Sequence, residues 1–137
     1  MVVKFGAAAL LVAFGSAYGL SHQKTVKDGL YAAEQASRGG ELYVKHCERC
    51  HTPEKVPAGK KPGPPIAGDK FIDTWRDRTV GELFDTILNT MPSDGTATLT
   101  ADQALDSTAH ILKANGFPAG KTPMKNDDAM KNALIVK

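Results

Sequence analysis

Cysteine is nearly absent from this 137-residue chain, which has only Cys47 and Cys50. Their scarcity excludes a disulfide-stapled scaffold, since a bridge across two intervening residues closes too short a loop to constrain an unfolded chain. It also leaves no second C-x-x-C to complete a four-cysteine zinc site. Aromatic residues are few, at 7%, and Trp75 is the single tryptophan. Neither sign of charge dominates, with 17 Lys and Arg against 15 Asp and Glu, so composition makes no case for a nucleic-acid partner. No apolar run approaches the roughly 20 residues that a bilayer span needs.

The apolar stretch Phe5 to Phe14 follows one early positive charge, Lys4, and precedes small residues. That is the three-part layout of a secretory signal peptide, with cleavage expected near Ala17 or Gly19. Its removal takes one of the 17 basic residues and no acid, leaving 16 against 15. Residues 20–137 then make one domain, with a C-terminal extension from about 117. The expected location is the periplasm, with no membrane span in the mature chain. In such an oxidising compartment, two thiols too close to staple anything point to chemistry rather than structure.

Both cysteines lie in "KHCERCH", with His51 directly after the second. Two residues between thiols put both on one side of a helical turn, within reach of the two vinyl groups of a haem, and the next residue projects its imidazole at the iron. Cys47-Glu48-Arg49-Cys50-His51 therefore reads as the attachment unit of one covalently bound c-type haem. Two rivals stand beside it. A thioredoxin-like redox pair would sit at a strand-to-helix turn in a βαβ unit, but the apolar segments here keep helical spacing. A zinc site would need further well-placed ligands.

Upstream, "YAAEQASRGGELYVKHC" has helical character, interrupted by Gly39-Gly40. Either the helix breaks there, or Gly39, Tyr43 and Cys47 share one face at four-residue steps and the glycine admits a neighbouring helix. "TPEKVPAGKKPGPPIAGDK" is loop. "RTVGELFDTILNT" opens on a capping box, Thr79 to Glu82, and carries an apolar stripe ending at Met91-Pro92. A second box, Thr100 to Gln103, opens a helix that stops at Asn115-Gly116. The tail ends in a short apolar piece, Ala133 to Val136, which suits either packing on the body or a partner interface. The expectation is all-α, about three main helices and loops around one haem that supplies the main apolar core, with a poorly folded apoprotein.

For the sixth iron position the sequence favours a thioether. Met91 stands in a loop between two capped helices, far enough from His51 for the chain to reach the other face of the macrocycle, and Met ligation stabilises ferrous iron. The rival sulfurs are Met124 and Met130, and the rival nitrogens His22, His46 and His110. With His51 and Met91 both on iron no vacant site remains, which favours electron transfer over catalysis.

These residues resemble the class I c-type cytochromes from about Asp28 to Gly120. "RGGELYVKHCERCH" is similar to that family's N-terminal helix, "TMPSDG" to its distal methionine loop, and "DSTAHILKANGFPAG" to the C-terminal helix that crosses the first. "GPPIAGDKF" is similar to the loop whose proline carbonyl accepts a hydrogen bond from the proximal imidazole, which implies that role for Pro64. The resemblance further implies that Trp75, with Arg76 or Arg78, holds a haem propionate, and that Tyr31 caps the haem. "DGLY…AEQASRG" with "GFPAG" resembles small cytochromes found beside periplasmic quinoprotein dehydrogenases. Ser107 and His110 depart from the pattern, standing where an aliphatic and an aromatic residue are usual, so the helix crossing is expected to bury less apolar surface; His110 is expected to be a packed or surface imidazole.

The function implied is that of a periplasmic one-electron carrier. It would pass electrons from a dehydrogenase or respiratory complex to another cytochrome or an oxidase, and Lys55, Lys60, Lys61 and Lys70 would steer acidic redox partners. The alternatives are a peroxidase-like haem enzyme or gas sensor with a labile sixth ligand, and a haem-free thiol oxidoreductase using Cys47 and Cys50.

Overall fold

The computed structural model describes residues 22–137. The expected signal peptide and its cleavage site lie outside the described residues. Six α-helices are described: α1 (Ala33–Leu42), α2 (Glu48–His51), α3 (Asp69–Trp75), α4 (Val80–Thr90), α5 (Ala101–Ala114) and α6 (Asp128–Lys131). Among the described residues no strand forms, and no helix is long and apolar enough to cross a membrane.

The capping boxes start α4 and α5 where the sequence places them. Thr79 Oγ1 accepts from the Glu82 N–H at 3.1 Å while the Glu82 carboxylate accepts from the Thr79 N–H at 2.9 Å. Thr100 and Gln103 repeat the exchange. Each box satisfies two backbone donors that a helix start otherwise leaves open. Helix α4 then buries Val80, Leu83, Phe84 and Ile87, and α5 buries Leu105, Ile111 and Leu112. Helix α3 is not among the three main helices expected; it starts in the last two residues of the predicted loop, and its seven residues are too few to show a helical period beside the prolines that precede them.

Gly39-Gly40 does not break α1. An added Cβ on Gly39 would stand 1.9 Å from the Asp106 carbonyl oxygen, so glycine is what lets the backbones of α1 and α5 touch. The crossing also carries a polar clamp in which the Arg38 guanidinium donates twice to the Asp106 carboxylate, both at 2.7 Å. Asp106 is nearly buried, and this bidentate geometry is the strong form of the ion pair. The polar residues on α5 thus leave the crossing close and held by a fork as well as by apolar contact.

After Leu42 the helix widens into a π-helical turn, Tyr43–Cys47. Four residues overshoot a full turn of α-helix and undershoot one of π-helix, so the deviations offset. Gly39, Tyr43 and Cys47 consequently stay on one wall.

The tail packs back on the body. Residues 133–135 run between two other segments: Val26 N–H donates to the Leu134 carbonyl and Leu134 N–H to the Lys24 carbonyl, while on the other side Val80 N–H donates to Ala133 and Ile135 N–H to Arg78. Met124, Met130, Ala133 and Ile135 are all buried there. The buried Gln35 amide grips the Met124 backbone in both directions, at 2.9 and 2.6 Å. Two glycines allow the closure at the start of the tail, since a Cβ on Gly120 would meet the Gly29 carbonyl oxygen at 1.9 Å.

Candidate functional site

A largely apolar cavity of about 560 Å³ opens beside the π-helical turn, a volume typical of a cofactor site. Its lining includes Tyr43, Cys47, Cys50 and His51 of the π-helical turn and α2, Leu83 and Ile87 of α4 with Met91 and Leu99 after it, and Phe71, Trp75 and Ile111. Cys47 and Cys50 are free thiols, half-buried. Burial pushes the Cys47 thiol above its ordinary value, and the neighbouring Cys50 adds to that. A reactive redox dithiol needs the opposite shift.

His51 is oriented from behind. Its Nδ1 lies 2.7 Å from the Pro64 carbonyl, which can only accept, so Nδ1 carries the proton and Nε2 keeps its lone pair for a metal. The loop bearing Pro64 is pinned at both ends. Gly63 N–H donates to the Cys50 carbonyl at 2.8 Å, and the Asn115 side chain accepts from Gly68 N–H and donates to the Ile66 carbonyl. Gly63 and Asn115 escaped the sequence reading. An added Cβ on Gly63 would press the His51 ring at 3.1 Å, and the only prior signal for Asn115 was its place at a helix end.

Met91 leaves α4 in extended backbone, its N–H donating to the Ile87 carbonyl, and lines the cavity. The rival sulfurs Met124 and Met130 lie buried with the tail. His22 is exposed beside Asp28 at 3.6 Å, whereas His46 and His110 both line the cavity. Trp75 lines it too, with the Arg78 guanidinium 4.3 Å above its ring. Arg76 is not in the lining; it faces Asp73 on α3 at 3.8 Å because α3 ends there and turns it away. Tyr31 is also elsewhere, buried with its hydroxyl donating to the Phe117 carbonyl at 2.6 Å. Lys55 is paired to Glu48 at 2.8 Å. No group of three or more His, Cys, Asp or Glu side chains that could hold a bare metal ion occurs among the described residues.

The donor set fits a covalently attached haem: two free thiols two residues apart, an imidazole with its Nε2 free, and a thioether, all on one apolar cavity. An all-α fold with this constellation defines a class I c-type cytochrome. A family model described as cytochrome c oxidase, cbb3-type, subunit III matches residues 34–111, more than half of the chain, and the chain belongs to that family. No curated protein and no solved structure matches it.

Proposed function

We propose that this chain is a periplasmic one-electron carrier holding a single haem c. Cys47 and Cys50 would hold the macrocycle through thioether bonds, and His51 and Met91 would ligate its iron. A haem bound there supplies one reversible electron at its iron. The observation that carries the reading is the His51 Nδ1 to Pro64 contact with Met91 on the same cavity. The carbonyl fixes the imidazole tautomer, and the thioether would hold the iron where a substrate would otherwise bind. Two protein donors held by the fold change little between oxidation states, which suits transfer rather than catalysis. Trp75, supported by Arg78, is the residue we assign to a propionate.

The partners we propose are a dehydrogenase or respiratory complex on the donor side and a cytochrome or oxidase on the acceptor side. The family's description, an oxidase subunit, supports the second. A quinoprotein dehydrogenase as donor rests on the sequence resemblance alone. Exposed Lys60 and Lys61 beside the attachment loop suit an acidic docking face.

The test is an optical spectrum of protein matured in a periplasm, oxidised and then reduced. Haem that survives acid acetone, sharp low-spin bands, and a sulfur-to-iron band lost in Met91→Ala are expected. High-spin haem that binds carbon monoxide at once would favour the enzyme or sensor. A colourless protein with a titratable dithiol would overturn the haem reading.

A further inference from the structure

His110 and Ser107 are one turn apart on the face of α5 that lines the cavity. The Ser107 hydroxyl is buried and has no hydrogen-bond partner among the described residues, an arrangement that is costly when a polar group stays unpaired. The His110 ring is half-buried, its centroid 5.3 Å from that of Tyr43, with Nδ1 3.3 Å from where a Cβ on Gly40 would stand. Neither residue is used by the attachment chemistry. Both put polar atoms into a wall that is otherwise apolar, where the charge of the iron changes by one unit in each cycle.

We propose that His110 is a proton-binding site coupled to the redox state of the cavity, with Ser107 as the acceptor that steadies its protonated ring. The electron comes from the reducing partner and the proton from solvent. One N–H bond forms at His110 when the electron arrives and breaks when it leaves, so the net charge of the cavity changes less than it would with the electron alone.

The surroundings suit a group poised between two states. Burial holds the His110 imidazole below its ordinary value; the Ala36 carbonyl of α1, as an acceptor, works against this, and the positive charge of Lys113 adds to the lowering. From the turn after α1 it is faced by Tyr43, and that turn also brings His46 to the cavity. On α5 itself Asp106 is already committed to Arg38. From across the cavity come Lys70 and Asp73 of α3 and Asp94 beyond Met91, while α4 contributes no charge. A half-buried imidazole whose neutral form is favoured by burial and by Lys113 is one that an added electron nearby can tip toward protonation.

The proposal rests on the haem reading, so its test uses the haem-loaded protein with ¹⁵N-labelled histidine, held ferric or reduced with ascorbate. The His110 resonances are assigned by their loss in His110→Gln, and those of His46 by His46→Gln. Reduction is expected to raise the proton affinity of His110 by about tenfold, the scale for unit charges separated by a site of this size at an effective dielectric near 20. Ser107→Ala should lower the His110 affinity severalfold in both states, and the fall of reduction potential with rising pH should flatten in His110→Gln. Coincident curves for His110 in the two states, or none between pH 4 and 9, would overturn the proton site and leave the carrier intact. A protein that carries no haem would overturn both.

Discussion

The two ends of this molecule are built on opposite terms. Where the tail closes the fold, Val26, Tyr31, Met130, Ala133 and Ile135 are at most 2% exposed, and each backbone group of the 133–135 segment named above has a partner. Around the attachment unit, the π-helical turn, α2 and the short turn Pro53–Lys55 contain no buried residue. One end is closed by its own chain; the other is a wall of partly exposed residues. Helices α1, α4, α5 and the tail share a continuous core of their own, so a bound haem is expected to matter most for residues 43–68.

The largest test of that contrast removes the attachment. Cys47→Ala/Cys50→Ala is expected to yield protein without covalent haem, in which hydrogen exchange becomes fast across residues 43–68 but amides of α4, α5 and the 133–135 segment stay protected. Uniform loss of protection would erase the distinction between the ends. Gly39→Val comes next. Its side chain would run into the Asp106 carbonyl, a backbone atom that cannot rotate away, and a loss of at least 3 kcal/mol is expected in denaturant unfolding of the holoprotein. Ile135→Ala tests the closed end by itself. A loss of about 2–4 kcal/mol is expected, with the haem spectrum unchanged, since Ile135 does not line the cavity.

Thr79→Ala, which removes one cap, should cost about 1 kcal/mol by the same measurement. The smallest effect is one of pH. The folded value of His110 lies below the unfolded one, so its contribution to stability is fully present above about pH 6.5 and is lost as pH falls through the lower, folded value. Ferric His110→Gln should therefore lose less stability than wild type between pH 6.5 and pH 4.

How much of this was legible beforehand varied with the range of the signal. The attachment unit, both capping boxes and the stop at Asn115-Gly116 are local patterns, and all could be read from neighbouring residues. Met91 could be placed because it stands between two such patterns. Arg76 and Tyr31 stand outside the cavity lining for a different reason: their surroundings depend on where α3 ends and on where the tail returns, and neither is written within a few residues of them. The tail itself was undecided because four apolar residues in a row say that they want burial but not against what. The π-helical turn has no sequence signature at all, and it is visible only as the register that keeps Gly39, Tyr43 and Cys47 together.

The return of the tail has a practical side. Gln23 donates to the Asn132 carbonyl at 2.6 Å and Lys27 to the Lys137 carbonyl at 2.7 Å, so the chain enters and leaves the folded body at one place. None of these four residues lines the cavity. A tether joined near residue 23 or near residue 137, to an electrode surface or to a second protein, would hold the molecule by the same spot, on residues that do not line the cavity.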